Sequence, residues 1–171
     1  HPFRALYLPT DLHVAATLAH QGLDGSVIIL VTGFSSLSAH HGQLTLIGGY
    51  GFPITAPCSV SWFGLEAIKA VLLDADGVGL QTRLTTVLLK DKTATALAEQ
   101  YMNASATDYA KLAPLVFELA DLGDKVCLSF IQYGSAFINQ VIRKLLETGV
   151  SRVSMIGGIA ERIKPWLDPQ L

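Results

Sequence analysis

One run of seven residues, Ser26-Val-Ile-Ile-Leu-Val-Thr32, limits the choices most. Its β-branched side chains are stiff at χ1 and favour a pleated strand. The run has no polar alternation, so neither face is meant for water. Such a strand belongs inside a sheet covered on both sides, which is the habit of α/β proteins.

The flanking patterns agree. Ala5 to Leu8 reads as a short strand, and Thr10-Asp11 as the cap of a helix through Val14, Leu18 and Ala19 that stops near Gly22. Leu37 to His40 and Gln43 to Ile47 flank His41-Gly42 as a hairpin. Ser59 or Ser61 can cap a helix from Trp62 to Leu73, which Asp74 to Gly77 breaks. From Leu80 to Thr148 the apolar period is helical. Ala104–Leu122 and Asp124–Glu147 read as long helices punctuated by Gly123, with Pro114 kinking the first or shifting its start. Arg152 to Ile156 reads as a last strand, and Gly157-Gly158 turns into a short helix near Ala160 to Ile163. The expected sheet core is Leu6, Val27, Ile29, Val153 and Ile156. The expected helical core is Phe117, Leu128, Ile131, Phe137, Ile138, Val141 and Leu145.

Composition excludes several classes. Half of the 171 residues are hydrophobic and 15% are charged, enough for a core and too apolar for a disordered chain. A net charge of -2 gives no electrostatic case for nucleic acid or an anionic membrane. No apolar run reaches the roughly 20 residues of a membrane helix. The opening His1-Pro2-Phe3-Arg4 has neither an initiating Met nor the regions of a signal peptide, which suggests a fragment or a processed chain. Cys58 and Cys127 lie far apart without C-x-x-C spacing and read as free thiols of a reducing cytoplasm.

Several residues are site candidates, each with a plainer alternative. Thr32-Gly33 ends a buried strand, where free backbone amides can hold phosphate or simply make a turn; the bulk of Phe34 would hinder approach. Gly157-Gly158 between strand and helix lets a nucleotide lie on backbone, or only tightens a connection. Asp11 is a cap or a general base. His40-His41 and the pair His13 and His20 lack further ligands at matching spacing, so no metal site is expected. Ser59 has no His or Asp partner that spacing nominates. Trp62 and Phe63 read as anchors of their helix.

Six segments in order carry a resemblance: Thr10 to Ala16, Thr32-Gly33, Gly48-Gly-Tyr-Gly-Phe-Pro-Ile54, Trp62 to Ile68, Asp108 to Val116 and Met155-Ile-Gly-Gly-Ile-Ala160. With these the chain resembles the BadF/BadG/BcrA/BcrD ATPase family, and within it the bacterial glucosamine and N-acetylglucosamine kinases. The resemblance implies an α/β, ribonuclease-H-like lobe of the actin-like ATPase fold, with a mixed sheet and late-grouped helices. Residues 1–171 would form a single C-terminal lobe of a two-lobe kinase, its first lobe absent from this chain. It implies ATP and Mg²⁺ as cofactors, an amino sugar as substrate and a cytoplasmic enzyme. Nucleic acid and membrane are not expected as partners, and a homodimer is left open.

Position by position, the resemblance makes Asp11 the base for the sugar hydroxyl, Thr32 and Gly33 part of a phosphate motif, Gly49, Tyr50 and Gly51 the sugar-facing turn, and Gly157 and Gly158 the adenosine-side glycines. Over the loop from Ile54 to Trp62 the family reads I-S-D-x-G-S-G-A-W. Its sugar-binding Asp falls on Ala56 here, and its glycines on Cys58 and Val60. Val31 and Phe34 also depart from the family's G-T-G-S. The expectation is therefore an ATP-dependent amino-sugar kinase lobe, inactive alone, with a non-catalytic binding or dimerising module as the alternative.

Overall fold

A computed structural model describes residues 24–54 and 57–171. Among the described residues the sheet has four strands: β1 (Gly25–Leu30), β2 (Phe34–His40), β3 (Gln43–Gly48) and β4 (Val153–Ile156), in the order β3-β2-β1-β4. The first three form an antiparallel meander, and β4 pairs with β1 in parallel. Between β3 and β4 run α1 (Val60–Ala75), α2 (Arg83–Leu88), α3 (Ala94–Met102), α4 (Ala106–Ala110), α5 (Ala113–Asp121) and α6 (Lys125–Leu146). A short α7 (Ala160–Ile163) and a 3₁₀ turn, Lys164–Trp166, follow β4. The expected mixed sheet with late-grouped helices is present. Leu6, Asp11, His13, His20, the first strand and the first helix lie outside the described residues, as does Ala56.

Caps set the helix starts. The Ser59 hydroxyl accepts the Trp62 amide of α1, and Asp124 accepts the amides of Val126 and Cys127 at the start of α6. Thr82, Thr93 and Ser105 cap α2, α3 and α4 in the same way. The helix expected over Ala104–Leu122 is two helices, α4 and α5. The break falls at Lys111-Leu112, and Pro114 sits in the first turn of α5, where its missing N–H costs nothing.

Alternation along β1 assigns its faces. Ile28 and Leu30 join the main core with Phe63, Ile131, Ile138 and Leu145, while Val27 and Leu37 form a smaller cluster with Ile29 on the other face. The helical core residues expected from periodicity are buried, apart from half-buried Leu128 and Phe137. Ile156 corrects the sheet expectation. It is 39% exposed, because among the described residues β4 lies at the sheet's edge and Ile156 ends it. Phe63 is fully buried, but Trp62 is only half-buried and stacks on exposed Tyr133, with ring centroids 5.8 Å apart.

The helices approach closely where glycine allows it. A β-carbon on Gly64 of α1 would lie 1.9 Å from the carbonyl oxygen of Tyr109 in α4. Cys58 and Cys127 are free and buried. Burial pushes both thiols up, Cys127 to about 12 with the Asp124 charge adding to the effect, so neither is a ready nucleophile. No helix among the described residues is long and apolar enough to cross a membrane.

Candidate functional site

Strand direction gathers three turns on one rim of the sheet. β1 and β4 run parallel, with Ile29 opposite Ile156, so their C-terminal ends lie side by side. Thr32-Gly33 leaves one end and Gly157-Gly158 the other. The crevice beyond the C-terminal ends of parallel strands is where open α/β sheets bind ligands. β2 starts at this rim and β3 ends there, with Ser35 opposite Gly48. Gly49 donates its amide to the Phe34 carbonyl at 3.0 Å. The turn Gly49-Tyr50-Gly51 therefore stands on the same rim, exposed, with Tyr50 75% accessible.

Each turn has a physical reason for its residues. Gly157 has φ +124°, and a β-carbon there would lie 1.9 Å from the Leu30 carbonyl oxygen. Only glycine lets β4 exit this close to β1. Gly158 has open space around its would-be β-carbon, as does Gly33. Among the described residues no hydrogen bond engages the amides of Thr32, Gly33 or Gly158. Three backbone donors are thus available to an anion on the rim.

The carbonyls of the first turn are occupied. Val60 donates its amide to the Val31 carbonyl at 2.9 Å. Ser61 donates its hydroxyl to the Thr32 carbonyl at 2.6 Å. The first donors of α1 are thereby satisfied inside the protein. Phe34, expected to hinder approach, is buried: its ring packs edge-on against Phe137 at 5.1 Å and lies against Gly48, so its bulk belongs to the core.

Next to Gly158 opens a cavity of about 340 Å³, lined by Val60, Ala113, Pro114, Phe117, Ile159 and Arg162. Its walls are mostly apolar. Arg162 lies 5.2 Å from the centroid of the Phe117 ring and is held by Asp121 at 2.6 Å. A flat, apolar group with polar edges suits such walls, between a guanidinium plane and small residues. A larger groove of about 640 Å³ runs along β4 past Ile142 and Leu146, and touches neither the Thr32 turn nor Gly158. Sequence reasoning missed Arg162 and Phe117, which are over 40 residues apart and meet only through α5 and α7.

The loop leading into α1 keeps one glycine-like conformation without glycine. Cys58 has φ +72°, in the left-handed region, at a cost of roughly 1–2 kcal/mol for a residue with a β-carbon. Val60, the other position where the resemblance puts glycine, is the first residue of α1 and is helical. Ser59 acts as the cap, not as a nucleophile.

The chain has relatives among known proteins. No protein-family model matches the chain. It is 32% identical over 171 residues to the glucosamine kinase GspK of Vibrio cholerae, covering 99% of this chain and 58% of that protein. It is 35% identical over 147 residues to an N-acetyl-D-glucosamine kinase of Dictyostelium discoideum, covering 79% of this chain and 46% of that one. The chain therefore spans about half the length of these curated relatives. In fold it matches a presumed N-acetylglucosamine kinase from Chromobacterium violaceum, with TM-score 0.86 and 25% identity over 94% of this chain and 57% of the other. A second presumed N-acetylglucosamine kinase, from Porphyromonas gingivalis, has TM-score 0.68 at 19% identity, covers 89% of this chain and 54% of its own, and bears on the fold alone. The fold is that of the actin-like ATPases.

Proposed function

For a chain related by sequence and by fold to glucosamine and N-acetylglucosamine kinases, we propose that it is one lobe of an ATP-dependent amino-sugar kinase of the BadF/BadG/BcrA/BcrD ATPase family. The observation that carries this is the meeting of Thr32-Gly33 and Gly157-Gly158 at adjacent ends of β1 and β4, beside the Arg162 cavity. In this reading the amides of Thr32 and Gly33 face the phosphates. Gly157 and Gly158 bring backbone against the nucleoside, and the cavity of Phe117 and Arg162 takes the adenine. The turn Gly49-Tyr50-Gly51 faces the sugar.

Phosphoryl transfer needs positioning and charge stabilisation more than covalent chemistry from the protein. The backbone amides on this rim contribute to both. The three turns carry no carboxylate, so Mg²⁺ would be held on this rim by phosphate oxygens and water, and would neutralise charge on the transferred group. Asp11, by resemblance, takes the proton of the sugar 6-hydroxyl. The protein that carries this lobe would act in the cytoplasm on an amino sugar.

The chain alone is proposed to be inactive. The facing wall of the cleft comes from a lobe outside residues 1–171, and the sugar-binding Asp of the family is Ala56 here. The experiment is a coupled assay of ADP release with Mg-ATP and glucosamine or N-acetylglucosamine, together with calorimetric titration of ADP. Saturable ADP binding without turnover is expected. Turnover abolished by Asp11→Asn would overturn the inactivity. Absence of nucleotide binding would favour the second reading, a kinase-derived module that binds or dimerises without catalysis. Ala56 and Cys58 speak for that reading.

A further inference from the structure

The far end of the sheet carries a cluster that the kinase reading does not use. It lies a strand's length from the glycine rim, roughly 20 Å at about 3.3 Å per residue. Gly25 pairs with Ala39, so the residue before β1, Asp24, stands opposite His40, the last residue of β2. His41 follows in the hairpin turn with φ +48°. Strand register thus brings together a carboxylate and two imidazoles that sequence spacing alone does not connect.

We propose that Asp24, His40 and His41 form a binding site for one divalent transition-metal ion of the zinc class. One ligand atom from each of the three lies within 4.8 Å of the others. Nδ1 of His40 is 3.0 Å from Asp24 Oδ2, and Nδ1 of His41 is 3.7 Å from the same oxygen. Ligand atoms of a tetrahedral zinc site with bonds near 2.0–2.1 Å stand roughly 3.3 Å apart. The two observed separations bracket that value. Two imidazole nitrogens and one carboxylate oxygen are also the donor set such ions favour.

The geometry is hard to explain as hydrogen bonding alone. Nδ1 of His40 is shut off from solvent, and despite its short distance to Asp24 it lacks hydrogen-bond geometry with any partner among the described residues. The two imidazole rings also touch, with centroids 4.0 Å apart. One cation bound to both would account for both facts.

The surroundings hold the ligands in place. The His41 amide donates to both Asp24 oxygens at 3.2 Å and fixes the carboxylate's orientation. The His40 ring rests against Gly149, where a β-carbon would lie 2.7 Å from Nε2. The neighbouring residue, Thr148, shares a 2.6 Å hydrogen bond with Ser38 of β2. His41 is 81% exposed, which leaves a further coordination position open to water. A bound ion would tie the hairpin turn to the start of β1.

Titration of the protein with ZnCl₂ by calorimetry, beside His41→Gln and Asp24→Asn, tests the site. The wild type is expected to take up zinc saturably, with each variant more than about tenfold weaker. Calcium, which prefers oxygen donors, should not bind measurably at this site. Nitrogen-15 spectra of the imidazoles should show Nδ1 of His40 and His41 perturbed by zinc. Because His41 is exposed and Asn keeps the shape of Asp, both variants are expected to fold. Lack of saturable uptake by the wild type, or undiminished uptake by the two variants, would overturn the proposal.

Discussion

The carbonyl oxygen of Leu30 and the α-carbon of Gly157 are so close that a β-carbon on Gly157 would sit 1.9 Å from that oxygen. Its neighbour Gly158 faces open space. The two glycines therefore separate structure from binding. Gly157→Ala should destabilise the fold by about 2–4 kcal/mol, through overlap with backbone and a positive φ. Gly158→Ala should leave the denaturation midpoint within about 1 kcal/mol of wild type. It should nonetheless weaken ADP binding about tenfold, or roughly 1.4 kcal/mol. Urea denaturation and calorimetry, run on both variants, check the pair of outcomes.

Asp124 ties α2 to α6. Its carboxylate receives the amides of Val126 and Cys127 at 3.0 Å each, the Thr82 hydroxyl at 3.0 Å and the Arg83 amide at 2.7 Å. Burial opposes its ionisation, but the amides of Cys127 and Arg83 and the Thr82 hydroxyl together hold its carboxyl below the usual carboxylate range. A carboxyl depressed in the folded state stabilises above its unfolded value, and that contribution fades as pH falls through the folded one. Stability should thus drop below about pH 4, and less steeply in Asp124→Asn. Asp124→Ala should cost about 2–4 kcal/mol by removing a cap and stranding buried donors. Thermal melts across pH measure both.

Gly64 meets the Tyr109 carbonyl as closely as Gly157 meets Leu30, but deep inside the helical core. Gly64→Ala should force α1 and α4 apart and cost about 3 kcal/mol, by overpacking. A midpoint unchanged within error would contradict the close approach.

Tyr50 is 75% exposed, so Tyr50→Ala should change stability by less than about 0.5 kcal/mol. Ala56→Asp should strengthen amino-sugar binding by about 1–3 kcal/mol, one carboxylate-to-hydroxyl hydrogen bond. Adding Tyr50→Ala to Ala56→Asp should reverse part of that gain if the exposed turn faces the sugar. Titration with glucosamine and N-acetylglucosamine reads each step, and no gain from Ala56→Asp would count against the alignment of this loop.

Local rules made much of this legible. A continuous β-branched run announced β1, His41-Gly42 announced the hairpin, and Asp124 after Gly123 announced α6. What stayed hidden depends on distant partners. The break between α4 and α5 was half-visible in Pro114, but its placement at Lys111-Leu112 goes with α4 packing against α1 at Gly64. Phe34 read as an obstruction because sequence does not say which way a ring turns at a strand's first residue. Arg162 meeting Phe117, and Asp24 meeting His40, are products of topology, which periodicity does not encode.

The junction of the Val31 and Thr32 carbonyls with the first residues of α1 has a mechanical consequence. The Val60 amide bonded to Val31, and the Ser61 amide and hydroxyl both bonded to Thr32, join turn and helix so that they move as one lever. A ligand resting on the turn would slow hydrogen exchange along the buried face of that helix, well away from anything it touches.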